Sequence, residues 1–205
     1  VNGNRKGPGH IGIIKQDGCN YTSTHYYDLN DNGAAKLDIQ RMDFVGGWPT
    51  MTSNFSSIHS CGGYSEGLYQ LQSRHSGKAL EVENASIDNG GNVVQYDFND
   101  WLHQKWYLVD HGTGTYSLIN ALSQKSLDIW EQSSANGANI AQWDYWGGAG
   151  QKWRLNSVAG NSVEIESDVS NKLLDVSANS TANGANILQW SRTGGYNQHW
   201  LMLRQ

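Results

Sequence analysis

Short alternations of apolar and polar residues run through most of the chain. "YSLIN" (116–120), "KSLDIW" (125–130) and "NIAQWDY" (139–145) place apolar side chains at every second position, the period of half-buried strands. "SANG" and "WGGAG" follow such runs with residues that tolerate positive φ. No stretch sustains the 3.6-residue period of an amphipathic helix. The pattern predicts an all-β protein of short strands joined by tight turns.

The alternation also repeats. "GANILQW" at 184–190 nearly copies "GANIAQW" at 137–143, 47 residues earlier, and "GNVVQY" at 91–96 keeps the same step. Asn89, Asn136 and Asn183 form one column; Gln95, Gln142 and Gln189 a second; Tyr96, Trp143 and Trp190 a third. "SGKALEV" at 76, "SQKSLDI" at 123 and "SNKLLDV" at 170 hold the register upstream, and Gln-x-Trp follows at 104–106, 151–153 and 198–200. No insertion breaks it. Units that cannot bury an apolar face alone must pack around a shared core, and three units make pseudo-threefold closure the natural geometry.

Charge and composition narrow the partners. Acidic residues outnumber basic ones, for a net charge of -5, which argues against nucleic acid or an anionic membrane surface. No run approaches the roughly 18 apolar residues of a spanning helix. Low charge with many Gly, Asn, Ser and aromatic residues suits a secreted, loop-rich globule. The chain starts at Val1 without a signal-peptide pattern, so a processed product or a fragment is expected. Whether Cys19 and Cys61 are bonded is open, since pairing cannot be read from sequence.

The three Gln-x-Trp motifs, each with its Leu-Asp-Val-like and "NGANIxQW" strands, resemble the ricin-B type β-trefoil, used by glycosidases as the family 13 carbohydrate-binding module. The resemblance covers about residues 65–205. It implies up to three weak sites for sugar. A sugar offers hydroxyls on one side and C–H groups on the other, so recognition wants a flat ring beside a fixed carboxylate. Carried over by position, the third lobe supplies Asp175, Trp190, Asn197 and Gln198. The second supplies Asp128, Trp143 and Gln151, with Gly150 in place of the asparagine. The first supplies Tyr96, His103 and Gln104, with Glu81 in place of the aspartate, and is expected to be the poorest.

Plainer roles compete. Trp106, Trp153 and Trp200 read as core, and the glutamines beside them could satisfy buried backbone groups. Trp143 and Trp190 could pack lobe against lobe. Asp128 and Asp175 could brace turns. Trp101, Trp130 and Trp146 fall outside the repeat columns and could extend a site or cover the core.

Residues 1–50 do not join the repeat. "HIGIIKQDGCNYTSTHYYDLNDNGAAKLDIQRMDF" predicts a three-stranded antiparallel meander turning at Asp17-Gly18 and again in "DLNDNG". The first hairpin would pair residues whose numbers sum to 35, setting His10 across from His25. That pair could approach one ion or anionic ligand, or be a polar-face pair of no further role. "GPGH", "HYYDLNDNG", "LDIQRMDF" and "GGWP" resemble the closing blade of the five-bladed propeller of glycoside hydrolase family 43, most closely the arabinanases. The resemblance implies a place for His10 beside a central metal and substrate channel, and a calcium ion only where the propeller is complete. Within this chain no cofactor is expected. The family's catalytic carboxylates belong to earlier blades, and no pair here stands across a glycosidic bond, so no catalytic residue is assigned. A Ser/Gly-rich linker, residues 51–64, separates the blade remnant from the trefoil.

The resulting expectation is a secreted, lectin-like module that grips plant cell-wall polysaccharide through arabinose, galactose or xylose units. The alternative is the C-terminal fragment of an arabinan-degrading hydrolase, active only with its missing blades. A missing catalytic segment or a second copy would cover the exposed blade. A protein-binding scaffold is a third reading.

Overall fold

The structure, a computed structural model, describes residues 5–6, 11–16, 19–32, 34–45, 48–52 and 64–205. The chain divides into two compact units, Val1–Ser65 and Glu66–Gln205. Among the described residues there is no α-helix.

The first unit is one antiparallel sheet. Strands β2 (Ile11–Gln16) and β3 (Cys19–Asp28) pair from Ile11–Thr24 to Gln16–Cys19, the register expected of a turn between them. Strand β4 (Ala34–Val45) returns along β3. The sheet exceeds the three-stranded meander by two strands. Strand β1 (Arg5–Lys6) joins the far end of the long β3, and β5 (Trp48–Thr52) adds to β4. The sequence hid β5 because Pro49 cannot donate to a ladder; among the described residues β5 pairs only with β4, an edge where proline is tolerated. His10 and Cys61 lie outside the described residues, so neither the His10–His25 pair, nor a metal role for His10, nor a Cys19–Cys61 bond is seen.

The second unit has twelve strands, four to a lobe. Lobe one holds β6 (Gly67–Ser73), β7 (Ala79–Val82), β8 (Val93–Tyr96) and β9 (Lys105–Asp110). Lobe two holds β10 (Tyr116–Asn120), β11 (Ser126–Ile129), β12 (Ile140–Trp143) and β13 (Trp153–Val158). Lobe three holds β14 (Ser162–Ser167), β15 (Leu173–Val176), β16 (Ala185–Trp190) and β17 (His199–Arg204). The outer strands of the lobes close a barrel, running β6–β9–β10–β13–β14–β17 and back to β6. The inner hairpins meet cyclically at one end, through Asn92–Ala141, Asn139–Leu188 and Asn186–Val94. This is the β-trefoil.

Closure buries one face of each strand. Trp106, Trp153 and Trp200 are wholly buried, as are Leu80, Leu127 and Leu174. Each indole Nε1 donates to the carbonyl of one of those leucines, at 3.0, 3.3 and 3.1 Å. The tryptophans are therefore core, as the sequence suggests, with their one polar atom satisfied.

The glutamine column binds lobe to lobe. Gln142 Nε2 donates to the carbonyls of Ser86 (2.9 Å) and Asp88 (3.0 Å) in lobe one. Gln189 does the same to Ser133 and Ala135 in lobe two, and Gln95 to Ser180 and Ala182 in lobe three. Each Oε1 accepts from a serine of its own lobe, Ser76, Ser123 or Ser170. Buried amides so placed leave no donor or acceptor unmet. A second clasp lies at the surface. Asn89 both donates to Asp144 Oδ2 and accepts from the Asp144 amide, and Asn183 treats Asp97 alike. Lys78 and Lys125 complete these pairs and, with the asparagines, hold the two carboxyls below their ordinary range. The third lobe carries Ser191 there, which accepts only weakly from Lys172 at 3.4 Å.

Two predictions follow from these clasps. Gln142→Ala removes the bonds of a buried amide to the part-buried Ser86 and Asp88 carbonyls and should lower unfolding stability by about 2 kcal/mol, measured by denaturant titration. Ser191→Asp gives Asn136 and Lys172 the partner their counterparts have, and should raise stability by about 0.5 kcal/mol at low salt, fading as salt is added.

Candidate functional site

In each lobe the second and third strands form a hairpin whose register brings a carboxylate near a ring. Glu81 pairs with Val94, Asp128 with Ala141 and Asp175 with Leu188. Two residues on, and on the same sheet face, stand Tyr96, Trp143 and Trp190. Such diagonal neighbours lie about 7–8 Å apart, within reach of long side chains. The rings are open to solvent, at 42%, 40% and 41% exposure, while the carboxylates are almost covered, at 5%, 8% and 5%. Trp143 and Trp190 are thus not sealed lobe-packing residues, although glycines of the preceding lobe sit beneath them. A side chain at Gly90 (φ +82°) would come within 3.0 Å of the Trp130 ring and 3.7 Å of the Trp143 ring; the left-handed backbone and the close approach both require glycine.

The Gln-x-Trp glutamines fix the carboxylates. Nε2 of Gln104, Gln151 and Gln198 donates to Glu81 Oε2 (2.6 Å), Asp128 Oδ2 (2.7 Å) and Asp175 Oδ2 (2.8 Å). Each also donates to a loop carbonyl, of Asp97, Asp144 or Ser191. Each Oε1 accepts from the following turn, at Asn99, at Trp146 and Gly147, or at Thr193. All three glutamines are fully buried. They position the carboxylate and shape the loop rather than present an amide to solvent.

The lobes differ at the column beside the glutamine. Asn197 is buried, donates to the Val176 carbonyl at 3.2 Å and bonds Asp175. His103 is buried with Nε2 3.4 Å from Glu81 Oε2. The longer Glu81 therefore meets the same partners as its aspartate counterparts, and lobe one keeps the full arrangement. Lobe two, with Gly150 in that column, has instead a cleft of about 360 Å³ lined by Asp128, Gln132, Ala141 and three indoles, Trp130, Trp143 and Trp146. Trp146 Nε1 donates to Asp128 Oδ2 at 3.4 Å. Trp130 and Trp146 were assigned to no site by their columns; a large aromatic that breaks a strict repeat is itself the signal that could have found them. Trp101, in lobe one, stands edge-on to His103 with ring centroids 5.8 Å apart.

Enclosure changes the acidity of the carboxylates. Burial pushes the Asp175 carboxyl up to about 6, against the bonds from Gln198 and Asn197 that pull it down. Burial also raises Asp128, opposed by Gln151 and Trp146. The largest influence on both carboxyls is thus desolvation, not a neighbouring charge. Among the described residues no group of three or more His, Cys, Asp or Glu side chains is placed to hold a metal ion.

Residues 57–143 and 149–205 match the family described as ricin-type beta-trefoil lectin domain-like. The chain belongs to that family. No curated protein matches it. Among solved structures, this ricin-type chain is similar to a designed threefold-symmetric protein, ThreeFoil, with 45% identity over 68% of this chain and 99% of that one, at a TM-score of 0.67. It is also similar to an exo-β-1,3-galactanase from Clostridium thermocellum, with 26% identity and a TM-score of 0.66. That likeness covers 98% of this chain but 46% of the galactanase, so the chain spans less than half of it. The Macrolepiota procera ricin B-like lectin, solved in complex with lactose, shares the fold at 22% identity and a TM-score of 0.61, over 70% of this chain and 99% of that one.

The raised pKa of Asp175 yields a test. The folded state holds this proton more tightly than an unfolded carboxyl of ordinary value 3.8. Asp175 therefore favours folding below that value, and the contribution is lost as pH rises through about 6. Asp175→Asn keeps an acceptor for Gln198 and removes the titration. Thermal melts at several pH values should show the variant more stable than the parent at neutral pH, with the difference shrinking in acid.

Proposed function

We propose that the trefoil unit is a secreted carbohydrate-binding module, of the kind grouped as family 13, that holds plant cell-wall polysaccharide. Galactose-containing chains are the leading ligand, with arabinose and xylose units the alternatives. The observation that carries this reading is the same in all three lobes: an exposed ring beside a nearly buried carboxylate whose direction is set by a buried glutamine. The ring takes the C–H face of a sugar. The carboxylate accepts from hydroxyls, and a charged acceptor makes the stronger bond. The net charge of -5 suits an uncharged glycan better than an acidic one.

Single sites of this form bind weakly, since each hydroxyl exchanges a water bond for a protein bond at about 1 kcal/mol net. Three sites on one rigid body raise avidity on a polymer by roughly 10²–10⁴ where spacing allows. The likeness to the galactanase supports galactan, because it runs through both units in one alignment.

The same alignment favours a second reading, in which the chain is the C-terminal part of a longer family 43 hydrolase and the first unit is the closing blade of its propeller. Catalysis would then reside in blades this sequence does not include, together with any calcium ion near His10. An intact mass of the source protein far above 22.7 kDa supports this reading; a mass near that value rejects it.

Affinity electrophoresis tests the binding function. The chain should be retarded in gels containing galactan, and less or not at all by arabinan and xylan. Glu81→Ala, Asp128→Ala and Asp175→Ala should each reduce retardation, and the triple variant should abolish it. Protonation removes an acceptor, so the Asp175 contribution should fall as pH drops through about 6. Absence of retardation by every polysaccharide favours a protein-binding scaffold instead.

A further inference from the structure

The threefold columns expose what is particular to lobe two. Trp130 stands where the sister lobes carry Glu83 and Ser177. Trp146 stands where they carry Asn99 and Thr193, and Gly150 where they carry His103 and Asn197. Trp130 and Trp146 line the cleft beside Asp128, and Gly150 abuts that carboxylate. The missing side chain at 150 matters most. A Cβ there would already stand 3.3 Å from Asp128 Oδ1 and 3.3 Å from Gln132 Cγ. In lobe three Asn197 fills the equivalent place and bonds the carboxylate. In lobe two the known donors, Gln151 and Trp146, both go to Oδ2. Among the described residues no side chain donates to Oδ1.

The added rings are held in place. Trp130 meets Trp143 edge-on, with centroids 5.9 Å apart at 76°, an arrangement that fixes both planes. The Trp146 ring lies where any side chain at Gly148 would have to be, 1.7 Å from a Cβ built there. Its bond to Asp128, at 3.4 Å, is long enough for a sugar hydroxyl to replace. Trp143 and Trp146 remain 40% and 52% exposed. The cleft volume of about 360 Å³ lies within the range of formed ligand pockets, roughly 300–1,000 Å³.

We propose that lobe two is an extended cleft for two consecutive units of a β-1,3-linked galactan chain, one on Trp143 and Asp128 and the next on Trp146, while lobes one and three each take a single unit. Trp146 is then the residue that sets chain-length preference, and Gly150 the one whose missing side chain lets Asp128 and Gln132 stand where they do. This rests on the carbohydrate-binding reading above. It also reverses the ranking drawn from motif completeness: the lobe lacking the asparagine becomes the principal site.

The test isolates lobe two in the full chain carrying Glu81→Ala and Asp175→Ala. Calorimetric titration compares galactose with β-1,3-galactobiose. The disaccharide should bind about tenfold tighter than the monosaccharide, the return of one further preorganised contact surface. Trp146→Ala should weaken the disaccharide several-fold more than galactose and so remove the preference between them. Trp146→Phe, which keeps a ring, should restore part of the preference. Gly150→Asn should weaken both ligands. The proposal fails if Trp146→Ala weakens both sugars equally or neither, or if the parent shows no preference for the disaccharide. It also fails if the silenced background binds nothing while the unsubstituted chain binds. Absence of binding by the unsubstituted chain to either sugar overturns the galactan reading itself.

Discussion

The trefoil depends on three buried glutamine amides that reach out of their own lobe. Gln95, Gln142 and Gln189 each satisfy two carbonyls of a turn in the neighbouring lobe. Those turns are partly buried by the contact, and a carbonyl left unmet there costs up to about 1–3 kcal/mol. A lone 47-residue unit would therefore lose its glutamine's partners and leave its turn exposed, besides failing to cover its tryptophan. The three lobes must form together. Closed cyclic order, lobe one to three, two to one, three to two, is the geometry in which every amide and every turn is used once.

That constraint also makes the site. Successive residues of a strand point to opposite faces, so a glutamine directed inward to clasp the next lobe sends its neighbour outward. The neighbours are Tyr96, Trp143 and Trp190. The strand paired with it carries the carboxylate, and the Gln-x-Trp motif repeats the device: Gln104, Gln151 and Gln198 turn to the carboxylate while the tryptophan two residues on enters the core. Ring and carboxylate are thus placed by residues whose first duty is structural. What the fold leaves free is the rim, at positions such as 130 and 146, whose exposed side chains belong neither to the clasps nor to the core. There the lobes diverge.

This division explains what could be read from the sequence. The repeat, the strand positions and the core tryptophans were legible because threefold packing demands the same residue type at the same step. Asp128, Asp175 and their rings were legible for the same reason. The role of the Gln-x-Trp glutamines was only half legible, since a glutamine that braces a carboxylate and one that meets a ligand look alike in a motif. Gly150 read as a defect because column matching treats absence as loss; in the structure its bare Cα lets Asp128 and Gln132 close in, each 3.3 Å from where a Cβ would stand. Trp130 and Trp146 carried no column to interpret them. In the first unit, Pro49 concealed an edge strand, and β1 is too short to show a period.

The carboxylates carry the tension between stability and function. Removing Asp128 and Asp175 from water raises both pKa values, and for Asp175 the value reaches about 6. At neutral pH the folded chain must therefore keep a charge where a neutral group would sit more easily. Threefold packing does not require that charge, because an amide at 175 could still accept from Gln198. The binding function proposed above accounts for its presence in lobes two and three, with a glutamate in lobe one, because a desolvated and directed acceptor offers a hydroxyl donor few competing waters, a fixed angle and a stronger bond. Lobe two takes the argument furthest. It covers its carboxylate with indole rather than with an asparagine, so the cover of Asp128 is itself an exposed aromatic face, and on the proposed reading the ring that shields the acceptor also extends the surface offered to a sugar.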